Sequence, residues 1–283
     1  MTRRAVIDVG TNTVKLLVAD IEDGSVQPLL HLDSTTRLGE GVNRTHRLTP
    51  AAITRTVAAI RHYVDEARQL GAVEILALTT SATRSATNAD DFLRACPLPV
   101  EVIAGDREAE LIFRGAASDP LWAGQPLLVM DVGGGSAEWI RGNPNGIEHA
   151  LSLPVGAVRL HEQFGDDFAG LAGHLRQTFA NHLGPFHHGT RRMIATGGSA
   201  VTLAAIAQRQ VDHAILSVDT IRQLVTDLNA LPMADRRRVP GLPPERADII
   251  VAGGAVFLFA MEALGAKEFT VSVRALRYGA LLT

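Results

Sequence analysis

Two short segments of this chain combine residues that could do chemistry on an anion. Val6-Ile7-Asp8-Val9-Gly10-Thr11-Asn12-Thr13 and Val129-Met130-Asp131-Val132-Gly133-Gly134-Gly135-Ser136 share one layout: apolar residues, Asp-Val-Gly, then small or hydroxylic residues before a second apolar run. Glycine lets the backbone turn tightly and come close to a ligand. The amide N–H groups of such a turn form a concavity for anions. Thr11, Thr13 and Ser136 add hydroxyl donors. The acids Asp8 and Asp131 would repel a phosphate directly, so they make sense if Mg²⁺, or another divalent cation such as Mn²⁺, lies between acid and anion. One such turn alone is as readily a plain hairpin; its recurrence in both halves favours a ligand, with two hairpins clamping one phosphate from both sides.

These turns need strands to hold them. Residues 5–9 and 14–19 are β-branched and apolar around the first turn and read as a hairpin; residues 127–132 and 137–140 do the same around the second. Thr49 with Pro50 signals a helix start, and Ile53, Val57, Ile60 and Val64 give that helix an apolar stripe. A strand at 73–78, a helix at 89–95, a strand at 100–103 and a helix from Gly105 to about residue 118 follow. Later helices are expected at 200–208, 218–230, 244–264 and 274–282, and Thr196-Gly197-Gly198-Ser199 reads as a strand-to-helix turn. The Asp-Val-Gly repeat is too widely spaced for a solenoid and points to duplication of a whole domain. The expected division is 1–124 and 125–283, with the last helix packing back on the first lobe.

Composition narrows the class. The chain has 283 residues, 46% hydrophobic and 20% charged, which fits two ordinary globular domains. A net charge of −3 gives no bulk signature of a nucleic-acid binder. The only lysines are Lys15 and Lys267, so the cationic groups are mainly guanidinium, which binds phosphate in a bidentate way. Cys96 is the only cysteine, which rules out an internal disulfide. No apolar run of ~18 residues suggests a membrane span, and Asp8 arrives too early for a secretory signal. The cytoplasm is the expected compartment, without membrane or specific nucleic-acid partners; a homodimer is compatible with the sequence.

The two Asp-Val-Gly segments and Ala195-Thr196-Gly197-Gly198 resemble the phosphate motifs of the actin, sugar-kinase and heat-shock-chaperone ATPase fold. Within that fold the chain resembles the Ppx/GppA phosphatases, which comprise exopolyphosphatases and guanosine pentaphosphate phosphohydrolases. Residues 79–88, 105–112, 152–160 and 241–248 carry the closer match. The resemblance implies an α/β fold of two similar actin-like (ribonuclease H-like) lobes with an interdomain cleft. Three departures stand out. The HD-type helical domain of larger relatives is not expected here, Tyr278 stands where an acid is expected, and Arg107 replaces the first acid of a Glu-Glu-Ala motif.

Site roles follow from the resemblance. Glu108 matches the catalytic acid, and water attacking phosphorus in line needs such a group to orient and deprotonate it. Otherwise Glu108 is an ordinary acid in a first helical turn. Gly10, Thr11, Asn12, Thr13, Gly133, Gly134, Gly135 and Ser136 are expected to bind phosphate. Arg84, expected in a loop, contacts phosphate or closes the cleft, the alternative being a solvated arginine. Gly197 and Gly198 either hold a more distal phosphate or form a plain turn. Asp8, Asp131 and Glu138 are the expected metal set, Glu138 lying on the same side of its strand as Ser136. Arg236-Arg237-Arg238 with nearby Arg246 reads as a solvated charge run, the alternative being electrostatic steering of a long anion. The implied activity is Mg²⁺-dependent removal of the terminal phosphate of inorganic polyphosphate. The alternatives are guanosine pentaphosphate 5′-phosphohydrolase and a non-catalytic sensor of polyphosphate or nucleotide; a kinase would need an acceptor pocket that no motif supplies.

Overall fold

The computed structural model describes residues 1–187, 192–207 and 210–283. Two compact units divide the chain: Met1–Asp119 with Arg274–Thr283, and Pro120–Val273.

The first unit contains β1 (Thr2–Val9), β2 (Thr13–Glu22), β3 (Ser25–Thr35), α1 (Val42–Thr45), α2 (Pro50–Gln69), β4 (Glu74–Thr79), α3 (Ser81–Ser85), α4 (Ala89–Ala95), β5 (Glu101–Val102) and α5 (Gly105–Ala117). The second contains β6 (Leu127–Val132), β7 (Ala137–Asn143), β8 (Gly146–Leu153), α6 (Ala157–Phe164), α7 (Phe168–His182), β9 (Arg192–Thr196), α8 (Gly197–Ala207), β10 (Ile215–Ser217), α9 (Val218–Ala230), α10 (Met233–Arg236), α11 (Ile250–Leu264) and β11 (Glu268–Val271). The chain then returns to the first unit as α12 (Leu276–Leu281).

Among the described residues the sheets run β3-β2-β1-β4-β5 and β8-β7-β6-β9-β11-β10. In each, three antiparallel strands meet parallel partners: β1 pairs parallel with β4, and β6 with β9. Five strands of the second sheet therefore repeat the topology of the first, with β10 added antiparallel at the edge, so the likeness reaches beyond the Asp-Val-Gly segments. Parallel strands run their carboxyl ends to the same edge, where ligands of open α/β sheets bind. Both glycine turns follow the carboxyl ends of their central strands, β1 and β6.

Two helices show how sequence makes the frame. Thr49 caps α2 by accepting from the Ala52 amide, Pro50 occupies the first turn, and Val57, Ile60, Tyr63, Val64 and Ala67 bury one face. Such a cap is worth about 1 kcal/mol. By contrast α11 is buried from Ile250 through Met261, as expected of a helix that is apolar on all sides. Its start differs from the expected 244–264 helix: Pro244–Arg246 forms a 3-10 turn and α11 begins at Ile250.

Other departures have local causes. Helix α7 carries Gly170 and Gly173, which weaken its sequence signal, yet the Asp167 side chain caps it at the Gly170 amide. The Thr/Ser-rich run after β4 reads as a loop, but closes the one-turn helix α3. Thr79 Oγ1, bonded to Val9 O at 3.1 Å and to Thr83 Oγ1 at 2.7 Å, fastens it to β1. Arg236 belongs to no solvated run: it is 6% exposed and donates to Leu228 O and Leu231 O, closing the end of α9. The expected helix end at Gln208 lies outside the described residues.

Helices α5 and α12 pack closely, because Gly115 and Gly279 leave no side chain at their contact; a Cβ on Gly279 would run into Leu111 O. Arg277 Nη1 donates to Leu16 O at 2.8 Å and ties α12 to the sheet. This crossing holds α5, and with it Glu108.

Candidate functional site

The two turns are built alike. Gly10 N–H donates to Thr13 O at 3.1 Å, and Gly133 N–H donates to Ser136 O at 3.0 Å. The remaining carbonyls are taken up by the segment following the third strand of each unit. In the first unit, Gly39 N–H donates to Thr11 O at 2.9 Å, while Thr36 and Arg37 N–H donate to Asn12 O at 3.1 and 2.9 Å. In the second, Ala157 N–H donates to Gly133 O, and Val158 and Arg159 N–H donate to Gly134 O at 2.9 and 3.1 Å. Arg159 Nε donates to Gly135 O at 2.9 Å.

Those bonds orient the opposite side of each turn. In a planar trans peptide the C=O and the following N–H point in opposite directions. Holding Gly133, Gly134 and Gly135 carbonyls toward α6 thus turns the amides of Gly134, Gly135 and Ser136 away from it, all to one side. The same reasoning turns the Asn12 and Thr13 amides away from residues 36–39. Aligned amides of this kind are an anion cradle. Each closing segment has a glycine at the tight contact: a Cβ on Gly39 would strike Thr11, and one on Gly156 would strike the Gly134–Gly135 backbone.

The first unit adds an acid and a guanidinium. Glu108, 7% exposed, lies in the first turn of α5, and Arg84 Nη1 donates to its Oε2 at 2.8 Å and to Ile103 O at 2.7 Å. Ile103 N–H in turn bonds Thr79 O, beside the end of β1. Backbone and side-chain bonds therefore connect Glu108 to the strand ends that carry the first turn. Residues 79–84 join the same assembly through Ala82, which approaches Gly39. Thr11, Asn12 and Thr13 are all buried.

In the second unit Asp131, Glu138, the 133–136 turn and Gly197–Gly198 come together. Asp131 is opposite Glu138 across β6–β7 and opposite Thr196 across β6–β9. Thr196 Oγ1 donates to Asp131 Oδ1 at 2.5 Å, and Ser152 Oγ donates to Glu138 Oε1 at 2.8 Å. Glu138 is 1% exposed. Like charges directly opposite each other destabilise a sheet. The first unit differs: Asp8 is opposite Lys15. Gly197 opens α8 in a left-handed conformation, φ 88°, with its α-carbon against Val132 and Asp131.

Two arginines, Arg159 and Arg246, take positions at the second turn and at Gly198 that the sequence reading did not assign them. Burial pulls the Arg159 guanidinium below its ordinary pKa, with Glu162 acting in the opposite sense. Arg246 packs its guanidinium against Gly198, where a Cβ would clash. The available signal is positional: Arg159 follows the glycine that ends the third strand's connection, and Arg246 lies in the 241–248 stretch.

The profile of the Ppx/GppA phosphatase family matches residues 17–283. The chain belongs to the Ppx/GppA phosphatase family. A protein named Exopolyphosphatase 2 from Mycobacterium tuberculosis is 32% identical over 305 residues, covering 96% of this chain and 95% of that protein. Exopolyphosphatase 1 of Mycobacterium leprae is 31% identical over 300 residues, covering 99% and 88%. The crystal structure of an exopolyphosphatase from Cytophaga hutchinsonii matches with a TM-score of 0.89 at 28% identity, covering 99% of this chain and 96% of that one. An Aquifex aeolicus Ppx/GppA family member matches with a TM-score of 0.82 at 27% identity, again covering 99% and 96%. The two-lobed actin-like α/β fold expected from the motifs is thus the fold of this chain.

Tyr278, which stands where the resemblance led to an acid being expected, is 3% exposed. Arg274 lies over its ring at 5.1 Å, and His31 packs beside it with centroids 6.2 Å apart. Tyr278 is thus a packing residue of the first unit. No helix of the described residues is long and apolar enough to cross a membrane.

Proposed function

We propose that this Ppx/GppA chain is a cytoplasmic exopolyphosphatase that hydrolyses the terminal phosphoanhydride of inorganic polyphosphate. The substrate class follows from relatives named exopolyphosphatase at 31–32% identity over nearly the whole chain. The observation that carries a hydrolytic role is Glu108, a buried carboxylate fixed by Arg84 and linked to the end of β1.

In this reading the Asn12 and Thr13 amides, the Gly134, Gly135 and Ser136 amides, and the Thr11, Thr13 and Ser136 hydroxyls bind phosphoryl oxygens. Glu108 orients a water and accepts its proton as its oxygen approaches phosphorus. Arg84 keeps the carboxylate in place, and its positive charge opposes the charge that spreads over the phosphoryl oxygens. Gly197 and Gly198, at the start of α8, hold a phosphate further along the chain.

The residues of the second unit suit Mg²⁺. Asp131 and Glu138 are hard oxygen donors directly opposite each other, each oriented by a hydroxyl. Among the described residues no three His, Cys, Asp or Glu side chains cluster to hold a metal by themselves. Mg²⁺ commonly binds one or two carboxylates and completes its shell with water and substrate phosphates. When bound it supplies positive charge to the phosphate oxygens. Asp131 and Glu138 would hold it; Asp8, expected in the same metal set, belongs to the other unit and is opposite Lys15, so this reading leaves it out of the set.

The test is a phosphate-release panel. Wild type should release phosphate from inorganic polyphosphate under Mg²⁺, and Glu108→Ala should lose that activity while staying folded. Faster release from guanosine pentaphosphate would reassign the substrate, and binding without turnover would replace the enzyme by a sensor.

A further inference from the structure

We propose that Arg159 is a positioning residue for the second phosphate turn, acting through the Gly135 carbonyl. The inference deepens the reading of residues 133–136 as a phosphate cradle and rests on it.

The two turns use different donors at one equivalent point. Asn12 O in the first unit is held by two backbone amides, those of Thr36 and Arg37. Its counterpart in the second unit, Gly135 O, is held by the side chain of Arg159 through Nε at 2.9 Å. The peptide that carries Gly135 O also carries the Ser136 N–H, pointing the other way. Arg159 therefore sets the direction of the last amide in the cradle. A hydrogen bond from an ionised donor is shorter and stronger than a neutral one, and it polarises the peptide so that Ser136 N–H becomes a better donor to an anion.

The placement is firm. The Arg159 backbone amide is itself bonded to Gly134 O, so the residue grips the turn at two consecutive carbonyls. It lies in the first turn of α6, between the buried Val158 and Leu160 along the chain. Arg159 is half-buried, and a charge-assisted bond is worth more there than at an open surface.

The test exploits bond counting. Glutamine places its Nε2 the same number of bonds from Cα as the arginine Nε, so Arg159→Gln keeps a donor for Gly135 O and removes the charge. Arg159→Lys keeps the charge and lacks the planar fork. Arg159→Ala removes both. Kinetics with inorganic polyphosphate should show Arg159→Ala raising KM about tenfold to a hundredfold, with kcat changed less than about threefold, because the amide binds ground and transition states alike. Added guanidinium ion should lower the KM of Arg159→Ala, and Arg159→Gln should recover more of the wild-type KM than Arg159→Lys.

A wild-type KM in folded Arg159→Ala overturns the proposal. So does recovery by Arg159→Lys with none by Arg159→Gln, which would make bulk charge the operative property. If Arg159→Ala fails to fold, the glutamine and lysine variants decide by the same ranking. Polyphosphate hydrolysis by wild type with KM indifferent to residue 159 sinks only this inference. A wild type that neither binds nor hydrolyses polyphosphate sinks the cradle reading and this inference together.

Discussion

The two glycine turns share one internal hydrogen bond and differ in the charges that face them. At the end of β1, Asp8 is opposite Lys15; at the end of β6, Asp131 is opposite Glu138. The first turn sits in a unit whose Arg84–Glu108 pair links to the same strand end. The second is closed by a helix and an arginine, and lies beside a further glycine turn at α8. The backbone device is the same in both units, while the side chains around it differ. A pair of opposite charges balances itself, whereas two opposed carboxylates favour a cation between them. Under the proposed function the first unit supplies the reacting carboxylate and the second the divalent-cation site.

The sharpest way to break this division is to remove one acid from each side. Glu108→Ala should lower kcat about 10²–10⁴-fold, the range for loss of a positioned acid or base, and added Mg²⁺ should not restore it. Glu138→Gln should act differently. Its activity should be low at limiting Mg²⁺ and recover at high Mg²⁺, with the half-saturating concentration raised by about 10–100-fold. The same substitution removes a like-charge cross-strand pair and should stabilise the metal-free protein by about 0.2–1 kcal/mol, visible as a higher Tm in chelator. If both variants respond to Mg²⁺ in the same way, the division of labour is wrong.

Much of this arrangement is legible in sequence because it is local. The Asp-Val-Gly repeat, the flanking β-branched runs and the Thr49–Pro50 helix start each declare an element within a few residues. The turns were therefore readable, as was the two-lobed fold through the family they resemble. The segments that close the turns were not. Residues 36–39 and 157–158 act through backbone amides, which nearly every residue type carries, and the added side-chain bond from Arg159 to Gly135 O spans 24 positions, so neither periodicity nor spacing marks what they hold. Arg84 pairs with Glu108 across 24 positions, a contact that neither helical nor strand periodicity encodes. The opposition of Lys15 to Asp8 depends on hairpin register, and became meaningful only beside its counterpart in the second unit.

The closing segments offer a finer comparison. In the second unit a Cβ on Gly156 would meet backbone atoms of Gly134 and Gly135, which can yield only if the turn moves. In the first, a Cβ on Gly39 would meet the Thr11 side chain, which can rotate, although Ala82 is also close. Gly156→Ala should therefore cost about 1–3 kcal/mol by overpacking and raise KM for polyphosphate. Gly39→Ala should cost less on both counts. Chemical denaturation and steady-state kinetics on the two variants would check the order, and a reversed order would show the first turn to be the more rigidly held.

The smallest effect uses the one cysteine, which lies in the first unit and so reports on that unit alone. Cys96 Sγ contacts Phe92 O at 3.3 Å, and burial raises its pKa from 9.0 to about 11, with Arg61 opposing. The reactive species is the thiolate, so at pH 8 alkylation of the folded protein should be slower than that of the unfolded chain. The sign for stability follows from the same shift. Below the unfolded pKa both states hold the proton, and the group favours neither. As pH climbs through 9 toward 11 the unfolded chain ionises first, so folding stability declines. Cys96→Ser should flatten that decline, and slow labelling at pH 8 should accelerate when denaturant opens the first unit. Equal labelling rates in native and fully denatured protein would mean that Cys96 is not shielded, and would remove it as a probe for separating the first unit's opening from the second's.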